Sequence, residues 1–302
     1  IAGGFGGTLT AVIMAMVSDL IPFERRGTAL SVIMSSFSIA SVIGVPVGLV
    51  IAEAFDWHYT FYFIAGFSTL VFILSEITFP KLNDHVCETK ILDNFKRLFS
   101  LLVKPDYLKS YSLIFFNVFS IFALIPYLAP FAVKNIGILE TDLKYMYFVG
   151  GFFTVFSARI IGKLTDRVGA FKVMSVIIII SFIPIYLYSH AGVLPFAYFI
   201  MISALFMTMV SGRMIPLMTM VSEIAEPKDR GTFMGLLSAI RSLGSAIATV
   251  FAGYFIIESN SGKLEGFNFI GNFSICLSFL IIFYCKHIYN ILLRIQRERK
   301  TT

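Results

Sequence analysis

The chain has 302 residues, of which 57% are hydrophobic and only 14% charged, and it carries a net charge of +6. Soluble domains average about a quarter charged residues, so this composition excludes a charge-rich soluble globule. The cations sit in short turns between apolar blocks, which also excludes a basic nucleic-acid face.

In chain order, apolar blocks occupy residues 3–21, 30–52, 59–79, 110–133, 145–162, 173–190, 194–221, 232–257 and 267–285. About 20 apolar residues cross a ~30 Å hydrocarbon layer as a helix. The blocks lack the alternation of a membrane barrel. The reading is an all-α polytopic membrane protein with nine transmembrane helices present and the lipid bilayer as its partner. If the turn at 22–28 is cytoplasmic, that side collects Arg25, Arg26, Lys163, Arg167, Lys172 and Arg230, with the C-terminal cations. The opposite side has Lys134, Lys144 and Lys263. The positive-inside rule then places the C-terminus in the cytoplasm and the chain in the cytoplasmic (inner) membrane.

Residues 17–28 read VSDLIPFERRGT and residues 221–232 read VSEIAEPKDRGT, 204 positions later. Both copies sit where one apolar block ends and the next begins, with six spans between them. Such spacing predicts two six-helix repeats, of which the chain holds the later nine helices. The expected divisions are three helices of an N-terminal bundle (1–80), a cytoplasmic linker (81–108) and a six-helix bundle with a basic tail (109–302). Within the linker, ILDNFKRLFSLL has the three-and-four spacing of an amphipathic helix lying on lipid. In each repeated turn an acid and a cation, Asp19 with Arg26-Gly27 and Glu223 with Arg230-Gly231, are placed to pair locally or across an interface.

Gly44, Pro46 and Gly48 lie inside a span, where proline bends a helix and glycines permit close packing. Deep charge is the strongest unaided signal of a site in a membrane. Arg159 is near enough to a turn to snorkel. Arg213 and Arg241 each lie about ten residues from the turn at 222–231, or ~15 Å deep at 1.5 Å per residue. None of the 18 Asp and Glu residues lies deep in a span. Three explanations stay open: an acid from helices preceding residue 1, backbone carbonyls with buried water, or an anionic substrate bound by planar guanidinium donors. Asn117, Tyr127 and Asn272 are polar candidates for the same cavity.

Cys87, Cys276 and Cys285 form no paired framework, and His58, His85, His190 and His287 are scattered. With no metal-spaced cluster, nucleophile elbow or nucleotide loop, the expectation is no metal, no cofactor and no catalytic residue.

Residues 162–172, GKLTDRVGAFK, resemble the G-x-L-x-D-R-x-G signature of the major facilitator superfamily, with Gly162, Leu164, Asp166, Arg167 and Gly169 in place. Ala170 and Phe171 stand where that family usually has basic residues. GVPVG at 44–48, followed by FDWHYTFYF, resembles the glycine–proline motif of the family's efflux branch, with His58 in place of a common arginine. PYLAPFA at 126–132 resembles the seventh helix of arabinose-efflux-like and drug-efflux-like members. The resemblance implies a monomeric secondary transporter of a small molecule working by alternating access, with efflux driven by the proton gradient. It implies that Asp166 latches onto the helix start near Arg26-Gly27-Thr28, and that Gly44, Pro46 and Gly48 form a hinge between halves. An importer of a small organic anion and a non-transporting membrane sensor are the competing readings.

Overall fold

The computed structural model describes residues 40–78, 98–226 and 229–301. Among these, seven helices are long and apolar enough to cross a membrane: Trp57–Thr78, Pro105–Ile136, Glu140–Val168, Ala170–Ser189, Phe196–Ser222, Thr232–Phe255 and Phe267–Arg297. The first expected block, most of the second, and residues 81–97 of the expected linker lie outside the described residues.

Two helices come from the first expected unit, α1 (Val45–Ala54) and α2 (Trp57–Thr78). Neither buries a residue. They pack on each other, and α1 also packs on a later span, α5 (Leu143–Val168). A π turn at Ala40–Gly44 leads into Pro46 in the first turn of α1. Proline has no N–H and crowds the preceding turn, so the wider turn there relieves a clash that a regular helix would impose.

The remaining helices form one bundle: α3 (Pro105–Phe122), α4 (Leu128–Phe131), α5, α6 (Ala170–Ser189), α7 (Phe196–Gly212), α8 (Met214–Ser222), α9 (Arg230–Phe255) and α10 (Phe267–Thr301). Its core has one cluster around Tyr107, Met220, Phe233 and Cys285, and another around Phe131, Tyr188, Phe206 and Phe267. Outside this core, apolar side chains such as Phe153, Ile183, Val250 and Phe283 face outward. That arrangement suits a hydrocarbon solvent, which makes an apolar exterior cost nothing.

Two spans are locally irregular. After α3 the chain takes a 3₁₀ turn at Ile125–Tyr127 containing Pro126 before α4 resumes the direction. The Leu128 carbonyl accepts a hydrogen bond from the Tyr188 hydroxyl at 3.0 Å. A tyrosine on another helix thus satisfies backbone at the break, as low-dielectric surroundings require. At Arg213, between α7 and α8, the hydrogen-bond pattern lapses for one residue while the backbone stays helical at φ −61, ψ −31, so the two form one span.

The described chain is helical throughout its spans, as the sequence leads one to expect. Between α9 and α10, Ile257–Glu258 pairs antiparallel with Leu264–Glu265 in a short hairpin. Gly262 at φ +78 and Gly266 at φ +85 provide the left-handed residues that this turn and its exit require. The Asn135 amide bonds both backbone groups of Leu264 at 2.9 Å, acting as a third strand. α10 continues as one helix to Thr301, through the basic residues of the tail.

Candidate functional site

Arg213 is the largest fully buried side chain. It stands where α7 meets α8, and its guanidinium lies between Ser181 of α6 and Ser278 of α10. Nη1 donates to Ser278 Oγ at 2.8 Å, and Nη2 donates to Ser181 Oγ. Ser181 Oγ in turn donates to the Ile178 carbonyl at 2.6 Å. Nε has no partner among the described residues, and no carboxylate pairs with the charge. Of the three explanations left open by the sequence, the partners seen are neutral hydroxyls from neighbouring helices. Burying a charge this way is costly, and its hydrogen bonds offset only part of the lost hydration.

Arg241 does not share this environment. It is exposed on α9, one turn before Gly244, where that helix packs on α3. A Cβ at Gly244 would lie 3.3 Å from the Phe115 carbonyl oxygen, so a side chain there would push the two helices a few tenths of an ångström apart. Asn117 is fully buried on α3, with Nδ2 3.6 Å from Met214 Sδ, next to Arg213, and Oδ1 without a partner among the described residues. Tyr127 donates from its hydroxyl to the Thr249 carbonyl at 3.3 Å. Asn272 is exposed and reaches His190 Nε2 at 3.5 Å. Among the described residues, no hydrogen bond or ion pair joins any two of these five candidates.

The segment GKLTDRVG forms the last turns of α5. Gly169, at φ +99, is the single residue between α5 and α6 and adopts a backbone that favours glycine. Gly162 borders open space, and Asp166 and Arg167 are exposed without a partner among the described residues. In the glycine–proline segment, Gly48 serves the α1–α2 contact: its carbonyl accepts from Thr60 Oγ1 at 3.0 Å. Gly44 makes only an ordinary contact with Ala40.

Asp19, Arg26 and Gly27 lie outside the described residues, as does the Arg230 side chain; Arg230 and Gly231 open α9. In the second copy of the repeat, Glu223 Oε2 accepts from Gln296 Nε2 of α10 at 2.6 Å. Glu226 pairs with Lys104, and its backbone N–H donates to the Tyr107 hydroxyl at 3.0 Å. The turn therefore joins the start of α3 to the end of α10. For Lys104, partial burial lowers the ammonium pKa, but the hydrogen bond and charge of Glu226 outweigh it, and the net direction is upward.

Sequence reasoning missed Ser181 and Ser278, lone hydroxyls within apolar runs, whose only signal was placement in spans neighbouring a deep arginine. It also missed a pair between Glu53, at the end of α1, and Lys144, at the start of α5, with Nζ 2.9 Å from Oε2. Nearby, Asp56 accepts from the His58 backbone N–H and then from its imidazole. These bonds hold the Asp56 carboxyl below its usual range.

The comparisons with known proteins agree with this architecture. The chain is 24% identical over 170 residues to a putative transporter, AraJ, of Escherichia coli (strain K12), covering 56% of this chain and 42% of that protein. It is 24% identical over 157 residues to a probable sugar efflux transporter of Helicobacter acinonychis (strain Sheeba), covering 52% of this chain and 39% of the relative. The matches thus span about two fifths of the length of these curated relatives. The fold resembles the crystal structure of a bacterial homologue of the human lysosomal transporter Spinster, solved inward-facing and unoccupied. The TM-score is 0.61 at 14% identity, covering 93% of this chain and 74% of the other. The sequence profile of the Major Facilitator Superfamily matches residues 1–90 and 111–296. The chain is a multi-pass membrane protein, and it belongs to the Major Facilitator Superfamily.

Proposed function

We propose that the full-length protein is a secondary transporter that exports a small solute by alternating access, in exchange for protons. The observation that carries this reading is a polar interior beside an interrupted span. The interruption follows α3 at Ile125–Tyr127, Arg213 is buried within the bundle, and Asn117 of α3 contacts Met214 next to it. Interrupted membrane helices with polar groups in the interior are where transporters of this kind hold solutes and coupling ions.

In this reading Arg241, exposed on α9, meets the solute, while Arg213 and Asn117 form the polar interior against which the cavity closes. Tyr127 and Asn272 line its far end. Gly162, Asp166, Arg167 and Gly169 form a cytoplasmic latch with the start of the helix near Arg26-Gly27, while Gly44, Pro46 and Gly48 shape the contact between two six-helix halves. The protein works as a monomer in the inner membrane with its C-terminus in the cytoplasm. Similarity to a probable sugar efflux transporter favours a sugar or another small polar solute.

A second reading, import of a small organic anion, is favoured by one observation. The two deep arginines have no carboxylate partner among the described residues, so a negative solute would supply the missing charge. The full-length protein in proteoliposomes tests both. With labelled monosaccharides and labelled carboxylates under an imposed pH gradient, the proposal expects sugar flux against the proton flux. Carboxylate flux alone would replace it with the second reading, and no flux would overturn both.

A further inference from the structure

The two ends of α5 differ in how they meet the rest of the molecule. At the Leu143 end, Lys144 pairs with Glu53 across 91 positions of sequence. Both side chains stay partly accessible, Lys144 at 27% and Glu53 at 43%. Among the described residues this is the only ion pair between the α1–α2 hairpin and the bundle. Otherwise the hairpin rests on α5 through α1 and the preceding π turn, with Leu49 touching the bundle core. At the Val168 end, ~39 Å away for a 26-residue helix, Asp166 and Arg167 are exposed and unpaired among the described residues.

An exposed ion pair biases an equilibrium by about two- to fivefold, too little to define the fold but enough to tilt two nearly equal states. Among the described residues α1 and α2 bury no side chain, so a contact of this size can weigh in how the hairpin sits against the bundle. We infer that Glu53 and Lys144 form a latch that holds the mouth at the Leu143 end of α5 closed, and that the pair must part when this mouth opens. The inference rests on the alternating-access reading above. It adds a named switch at the end of α5 opposite the GKLTDRVG segment.

Spin-label distances in the full-length protein test it, with labels at Phe55 and Leu139 across the Leu143 end, in a background where Cys87 and Cys276 are replaced by serine. Glu53→Gln, Glu53→Lys and Lys144→Glu should each raise the ratio of long to short distances by about two- to fivefold. The double exchange, Glu53→Lys with Lys144→Glu, should return it towards the parent value. Unchanged distances in the single variants, or single shifts that the exchange does not reverse, would overturn the latch. Flux is measured separately: absent flux in the parent counts against the transport reading, while the label distances still decide the latch.

Discussion

Arg213 and Arg241 lie on consecutive membrane spans at similar depth, yet one is sealed inside the bundle and the other is exposed on its surface. The difference lies in the neighbours each side chain finds. α6 and α10 present Ser181 and Ser278 to the two terminal nitrogens of Arg213. Arg241 stands one turn before Gly244, where α9 approaches α3, yet its own side chain remains exposed. An arginine deep in a span is thus two different devices: a hydrogen-bonded interior pivot, or a cation available to a solute. Depth alone does not say which.

The largest effects should come from the interior arginine. Arg213→Ala removes a fully buried side chain and leaves two hydroxyls facing a void, so it should cost about 2–5 kcal/mol in a detergent thermal-unfolding measurement. Arg213→Met keeps most of the volume without the charge, and should stay within about 1 kcal/mol of the parent or exceed it. If Arg213→Met folds normally but loses flux, the pivot also serves transport; normal flux would leave it purely structural.

Next come its partners. Ser181→Ala and Ser278→Ala should each cost about 1–3 kcal/mol, because each strands a buried charged donor. In an Arg213→Met background the same changes should cost little, since the donors are gone. Equal costs in both backgrounds would show that the serines act independently of Arg213.

The exposed arginine should behave oppositely. Arg241→Ala should shift stability by no more than about 0.5 kcal/mol. It should lower solute flux about tenfold or more, the effect of losing a charge-assisted hydrogen bond. The smallest effect belongs to Lys104, whose pair with Glu226 is surface-accessible. Because its folded pKa is raised above the ordinary 10.5, its contribution is present below that value and is lost as pH rises through the folded value. Lys104→Met should therefore lower the unfolding midpoint slightly, by less than about 1 kcal/mol near neutral pH, and not at all in strong alkali.

Much of the scaffold was legible from hydrophobicity alone. Seven of the expected apolar blocks reappear as membrane-length helices, because burial in lipid demands continuous apolar length. The depth of Arg213 was legible for the same reason. Its partners were not: Ser181 and Ser278 lie 32 and 65 positions away, and a serine within an apolar run carries no mark of what it faces. Nor was the contact of Asn117 with Met214, 97 positions apart, although the sequence marked both Asn117 and the neighbouring Arg213. The hairpin after α9 was missed because two-residue strands leave no periodic pattern, only the glycines at 262 and 266. The repeated turn was visible as a repeat, but the sequence could not show that Glu223 meets α10 and Glu226 meets the start of α3.

The most direct test of the transport reading is coupled flux by the full-length protein in liposomes containing a pH-sensitive dye. Adding a transported monosaccharide should move protons in the direction opposite to the sugar, and Arg241→Ala should reduce both fluxes together. Sugar movement without proton movement would contradict the exchange, and proton movement no greater than in empty liposomes, with no sugar flux, would contradict transport itself.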